Sequence, residues 1–311
     1  MSGVTALLAV VTVAALGTWI PLAQLLPGTP ERTRIFYVAL GNVVFAGLAL
    51  LAGGASMAFD WRSFWLPLAG GVVWTAGNYC VFRASATIGL ARAAGTWTPL
   101  NIVVAFAWGA VLFGELDGFS AVRFAVLGVA FLTVVAGVLL IAGSRDGRSG
   151  RPGSTSPGSA ATVESGRPAA ARTGLLWAGA AGILWGSYFV PAQWAAVPPQ
   201  VSNFPLALGI LGGALALALP TGEPVKLGVR AAGAQLGAGV LFGIGNLALL
   251  ALVVRVGTGT GFTIAQLSLA VNAGIGIWLF HVPAPGTSQA RKVLTGIVVA
   301  GIGGCVIAAM R

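Results

Sequence analysis

The feature that most constrains this chain is a series of long apolar runs, each near the length of a membrane-crossing helix and nearly empty of charge. A run of roughly 20 apolar residues spans the hydrocarbon core of a bilayer as a helix. In lipid every backbone amide must be satisfied within the chain, and strands of a barrel would alternate apolar with polar residues, which these runs do not. The chain has 311 residues, of which 57% are hydrophobic and 8% charged. A soluble domain carries about 25% charged residues, so this sequence cannot cover a water-facing surface. The spans are expected at residues 3–26, 34–55, 64–83, 92–113, 121–142, 174–196, 202–220, 231–254, 258–281 and 292–310. Turn-forming stretches such as Pro27-Gly28-Thr29-Pro30, Val197-Pro198-Pro199 and Thr221-Gly222-Glu223-Pro224 separate them. The first run lacks a basic leader and a small-residue cleavage pattern, so it is read as a retained helix.

The net charge of +10 does not point to nucleic acid, because the basic residues are dispersed between apolar runs as in the loops of a membrane protein. Cys80 and Cys305 both fall within apolar runs and are expected to pack as small residues, not to form a disulfide or a metal site. No phosphate-binding Gly-rich loop ending in Lys is present, so no ATP site and no cofactor is expected.

Residues 143–173 differ in kind, being rich in Gly, Ser, Pro and Arg. Such a composition predicts a solvated, flexible linker. It divides the chain into blocks 1–142 and 174–311, each with five expected spans. The blocks repeat one another. Gly17-Thr18-Trp19-Ile20-Pro21-Leu22-Ala23-Gln24 matches Gly186-Ser187-Tyr188-Phe189-Val190-Pro191-Ala192-Gln193. Gly77-Asn78 matches Gly245-Asn246, and Ile88-Gly89 matches Val256-Gly257. The offset stays at 168 or 169 positions across three helices. Five crossings per copy force the second copy to insert upside down, so the expected fold is all-α, with ten transmembrane helices as two inverted five-helix repeats. That is the architecture of secondary transporters, whose site lies where the repeats meet.

Of the 17 basic residues, only Arg62, Arg123, Arg255 and Arg311 fall on the side that holds both termini. The positive-inside rule therefore puts the linker in the cytoplasm and both termini outside. Ala- and Gly-rich usage with Arg far above Lys suggests a bacterial source, hence a cytoplasmic (inner) membrane location.

Within the spans, acids are missing at mid-membrane depth. Glu115 and Asp117 fall at the exit of the fourth helix, where a structural cap is the expected role of Glu115. His281, at the end of the ninth, reads as an interfacial polar cap. Amides and aromatics take the place of acids. Trp74 with Asn78, Trp97 with Asn101, and Phe242 with Asn246 sit four residues apart and so share a helix face. Amides donate and accept hydrogen bonds, while aromatic rings offer flat apolar area. The combination suits a neutral, hydroxyl-rich solute such as a sugar better than a cation, which would want a carboxylate. Each residue taken singly also fits helix packing or an interfacial belt. Pro21, Pro99 and Pro191 are expected to bend helices one, four and six. Gly296, Gly301, Gly303 and Gly304 read as close contacts of the tenth helix with the fifth.

These residues carry a resemblance. Trp74-Thr75-Ala76-Gly77-Asn78-Tyr79, Ile88-Gly89-Leu90-Ala91-Arg92-Ala93, Pro99-Leu100-Asn101 and Leu112-Phe113-Gly114-Glu115 resemble the glucose/ribose porter family of the drug/metabolite transporter superfamily. In the second half Gly245-Asn246 and Gly257-Thr258-Gly259-Thr260-Gly261-Phe262 are similar to it as well. The chain departs from the pattern at Phe280-His281-Val282, where a second Phe-Gly-Glu is expected. The resemblance implies a cavity between the halves lined by Trp19, Gln24, Trp74, Asn78, Trp97, Asn101, Tyr188, Gln193, Asn246 and Gln266. It implies a permease for a small-molecule substrate in the lipid bilayer, present as a monomer or weak homodimer. An exporter of another metabolite or drug on the same fold is the alternative. A membrane enzyme is disfavoured because clustered carboxylates, His or Cys are missing. A scaffold or receptor is disfavoured because it would not explain the inverted symmetry.

Overall fold

The computed structural model describes residues 2–25, 31–54, 60–88, 90–143, 168–218, 226–279, 281 and 284–309. Among these every regular element is a helix. The first block contains α1 (Gly3–Gln24), α2 (Glu31–Ala52), a π-turn at Trp61–Trp65, α3 (Leu66–Ile88), α4 (Leu90–Val111) and α5 (Ala121–Gly143). The second contains α6 (Pro168–Trp185), α7 (Val190–Trp194), α8 (Pro199–Ala218), α9 (Val229–Val256), α10 (Thr258–Gln266), α11 (Ser268–Trp278) and α12 (Ser288–Ala309). Eight spans among the described residues are long and apolar enough to cross a membrane. The protein is therefore an all-α, multi-pass membrane protein. Most of the segment read as linker lies outside the described residues, and α6 begins within it at Pro168.

Local chemistry starts the helices. Ser2 accepts from the Thr5 amide at 3.3 Å to open α1, and Asp60 accepts from the Arg62 and Ser63 amides at 2.8 and 2.7 Å. α5 and α12 start alike: Ser120 accepts from the Arg123 amide at 3.3 Å, and Thr287 from the Ala290 amide at 3.1 Å. Each such cap satisfies an amide that has no partner within its own helix.

The three prolines act differently from one another. α1 runs through Pro21 and α4 through Pro99. Only the sixth span breaks, and it does so at Gly186–Phe189, just ahead of Pro191. Pro191 has no N–H to give the Ser187 carbonyl. That carbonyl accepts instead from the Val190 amide at 3.0 Å, a tighter turn. The ninth span also breaks, into α10 and α11 at Leu267, with no proline to cause it.

The two blocks are interleaved. α1 and α2 pack on α9, α3 on α6 and α8, α4 on α6 and α10, and α5 on α12. Bare glycine backbones set the closest crossings. A Cβ on Gly41 would fall on the Leu236 carbonyl oxygen, and one on Gly239 on that of Val38. A Cβ on Gly71 would fall on the Leu206 carbonyl oxygen, and one on Gly209 on that of Leu68. Gly41 and Gly209 are 168 positions apart, as are Gly71 and Gly239. At the α5–α12 crossing, a Cβ on Gly137 would crowd the Gly296 carbonyl oxygen at 2.6 Å, and one on Gly303 that of Ala130 at 2.7 Å. Gly301, by contrast, faces open space. Both cysteines are free thiols, Cys80 buried and Cys305 exposed on α12.

Candidate functional site

At the centre of the interleaved helices lies a continuous aromatic cluster drawn from both blocks. Trp74 of α3 sits 5.0 Å from Phe242 of α9 and 5.9 Å from Trp185 of α6, stacked on the latter at 22°. Trp19 of α1 meets the other side of Phe242 at 5.3 Å. Trp97 of α4 reaches Trp185 at 6.1 Å, edge to face. The Trp185 indole N–H donates to the Trp74 carbonyl at 3.1 Å, fixing the stack. Offset and edge-to-face contacts of this kind are favoured by the ring quadrupoles.

The amides flank these rings. Tyr188 donates through its hydroxyl to Asn246 Oδ1 at 2.9 Å, and Asn246 Nδ2 donates to Asn203 Oδ1 at 2.8 Å. Asn203, in the first turns of α8, escaped the sequence reading because it lies at the margin of the expected seventh span. The adjacent polar pair Ser202-Asn203 in an otherwise apolar helix was the available signal. Asn78 is buried one turn from Trp74, as its spacing predicted. Asn101 is buried beside the Gly186 turn, and its side-chain oxygen has no partner among the described residues. Gln266 is half-buried where α10 gives way to α11. Gln24 closes α1, and its side chain lies outside the described residues. The structure thus brings Trp19 and Trp74 onto Phe242 within the same core cluster as Tyr188, joins Trp97 to it through Trp185, and sets Asn246 against Tyr188.

Gln193 belongs to a second group. Its Nε2 donates to Thr258 Oγ1 at 2.6 Å. α10 begins at Thr258 behind Gly257, which has φ 85° and no side chain to cap the helix. Glu115, from the other block, supplies the cap: its carboxylate accepts from the Thr258 amide, and from the Gly259 amide at 3.2 Å. Gly114, at φ 62°, turns the chain so that Glu115 points back. Gly109 leaves room for the carboxylate, since a Cβ there would meet Glu115 Oε2 at 2.6 Å. An anion on a helix N-terminus is doubly favoured, by the free amides and by the helix dipole. Nearby, the Trp108 indole N–H donates to Ser187 Oγ at 2.8 Å, and Phe189 packs on Phe262 at 4.2 Å. At this end of the bundle, Glu115 and Trp108 of the first block are hydrogen-bonded to the second.

The opposite end is built differently. α1 runs antiparallel to α9, with Leu16 against Gly245 and the Ala23 carbonyl accepting from Gln235 Nε2 at 2.9 Å. The end of α1 is thus remote from Thr258. There an apolar groove of about 420 Å³ opens between α1 and α11, lined by Thr18, Leu22, Leu25, Ile275 and Trp278 among others. His281, just beyond α11, is exposed with φ 52°, matching the left-handed turn of Gly114.

No curated protein matches the chain significantly. Twenty-six chains of solved structures are similar to it. One, described only as "Crystal structure of protein", superposes with a TM-score of 0.69 at 18% identity, over 96% of this chain and 96% of that one. At that identity the likeness bears on the fold alone. The family model described as "Sugar transport protein" matches residues 7–310, nearly the whole chain. This membrane protein, with its buried aromatics and amides, belongs to the sugar transport protein family.

Proposed function

We propose that the protein carries a small neutral sugar across the membrane by alternating access, with ten crossings arranged as two inverted repeats. The observation that carries this reading is the central cluster of Trp19, Trp74 and Phe242, contributed by both blocks and flanked by Asn78 and Asn246. Aromatic faces stack on the apolar face of a sugar ring, and amides can both give and take hydrogen bonds with hydroxyls. Trp19, Gln24, Trp74, Asn78, Trp97, Asn101, Tyr188, Gln193, Asn246 and Gln266 are the residues proposed to line the path.

The reciprocal glycine crossings support the inverted repeat. Gly17 abuts the Ser268 carbonyl and Val271, while Gly186 abuts the Asn101 carbonyl and Val104, again 167 to 169 positions on. α3 and α4, with 23 and 22 residues, are about 33 Å long at 1.5 Å per residue. That length suffices for the ninth and tenth crossings.

The two ends support alternating access. One end is held shut by Glu115, Gln193 and Trp108; the repeat counterparts of Glu115, Thr258 and Trp108 are Val282, Leu90 and Ile275, which cannot form those bonds. With the linker in the cytoplasm of a bacterial inner membrane, the sealed end faces outward and the α1–α11 groove faces inward. A second reading, export of a more apolar metabolite, draws on the apolar lining of that groove.

Uptake of a panel of labelled sugars into proteoliposomes, with and without imposed proton and sodium gradients, tests the proposal. Saturable sugar uptake is expected. Transport of amines or amino acids with no uptake of any sugar would overturn it.

A further inference from the structure

Asn78 and Asn246 are repeat mates, yet they stand in different company. Asn246 is committed on both sides, accepting from Tyr188 at 2.9 Å and donating to Asn203 at 2.8 Å, and it is 1% exposed. The positions equivalent to Tyr188 and Asn203 in the first block are Trp19 and Ile35. The Trp19 ring packs on Phe242, and Ile35 has no polar atom. Asn78 therefore lacks the two partners that hold its mate. Although only 6% exposed, its amide makes no side-chain hydrogen bond among the described residues.

An amide with no partner of its own can give and take hydrogen bonds with a ligand's hydroxyls. Asn78 also shares its helix face with Trp74, one turn away, whose ring belongs to the central stack. Repeat register places the two amides on opposite sides of the Trp74–Phe242 pair. Asn246 lies one turn toward the sealed end and Asn78 one turn toward the end with the groove, because α3 and α9 run in opposite senses.

We infer that, of the two path-lining amides, Asn78 is the one that contributes most to binding the hydroxyls of the transported sugar, while Asn246 also holds Tyr188 and α8 in place. The ligand this assignment calls for is a sugar with two neighbouring hydroxyls, one donating to Asn78 Oδ1 and the other accepting from Nδ2. The inference rests on the sugar-transport reading above.

Binding of labelled monosaccharides and their single-deoxy analogues to the purified protein in nanodiscs tests it, alongside thermal melting. Asn78→Ala should weaken the bound sugar roughly 10- to 100-fold, the loss of two neutral hydrogen bonds, with its melting midpoint unchanged. Asn246→Ala and Tyr188→Phe should lower the midpoint, and each should weaken the bound sugar less than Asn78→Ala does. At least one deoxy analogue should bind the wild type more weakly than the parent sugar, yet bind Asn78→Ala equally well. That comparison needs only wild type and Asn78→Ser if the alanine variant does not fold. Wild-type affinity in Asn78→Ala, or binding lost in Asn246→Ala at an unchanged midpoint, would overturn the assignment. A wild type that binds no sugar would instead refute the function on which it rests.

Discussion

The carboxylate of Glu115, at the end of α4, caps the first amides of α10 at Thr258, joining the two halves of the chain at one end of the bundle. The α10 N-terminus has no side-chain cap of its own, because Gly257 stands in that position.

Removing the charge should loosen that end. Glu115→Gln keeps the shape but not the charge, at a cost of about 1–2 kcal/mol. Thr260, 4% exposed and two residues into α10, reports on it when replaced by Cys in a Cys80→Ser, Cys305→Ser background. Thiol labelling from the side of the seal should be about 5- to 30-fold faster with Glu115→Gln. An unchanged labelling rate would reduce Glu115 to an ornament of the loop.

Trp108 and Ser187 should be energetically coupled through their 2.8 Å hydrogen bond. Trp108→Phe and Ser187→Ala each break the same bond, so the double variant should be more stable than additivity predicts. The coupling expected in a membrane is about 0.6 kcal/mol. Strict additivity of the melting shifts would mean that the bond contributes nothing.

The glycine crossings should be intolerant of a single methyl. Gly41→Ala, Gly71→Ala, Gly209→Ala and Gly239→Ala would each push a Cβ into a facing carbonyl, at about 1–3 kcal/mol. Gly179 and Gly212 face open space, and alanine there should be neutral or stabilising by about 0.5–1 kcal/mol. Melting in detergent separates the two sets; equal effects in both would contradict the packing.

The distribution of Lys and Arg predicts both termini outside the cytoplasm. A C-terminal alkaline-phosphatase fusion should be active and a fluorescent-protein fusion dark. The reverse pattern would invert the protein and exchange its inward and outward ends.

Helical class, membrane location and the pairing of Trp74 with Asn78 on one face were all legible in the sequence, because they depend on local period and local solvent preference. The offset near 168 positions between similar motifs was legible too, and Gly41 with Gly209 and Gly71 with Gly239 keep that offset where two backbones touch. Other features depended on partners far along the chain. Pro21 and Pro99 looked like Pro191, yet only the sixth span breaks; the neighbours of each helix settle whether a missing amide bends it. Asn78 and Asn246 looked alike as repeat mates, and only the arrival of Tyr188 and Asn203 beside one of them set the two apart.

Glu115 shows the division most plainly. From its place after a Phe-Gly pair the sequence predicts a cap, and a capping carboxylate needs only free amides nearby. Which amides it caps could not be read locally, since Thr258 lies in the other repeat and is brought there by the interleaving of α4 with α10. Hydropathy determined that the chain lies in a membrane, and the spacing of its motifs predicted a repeat. Tertiary packing alone decided at which end the two halves are hydrogen-bonded to each other, because bonds between distant segments exist only once the helices have met.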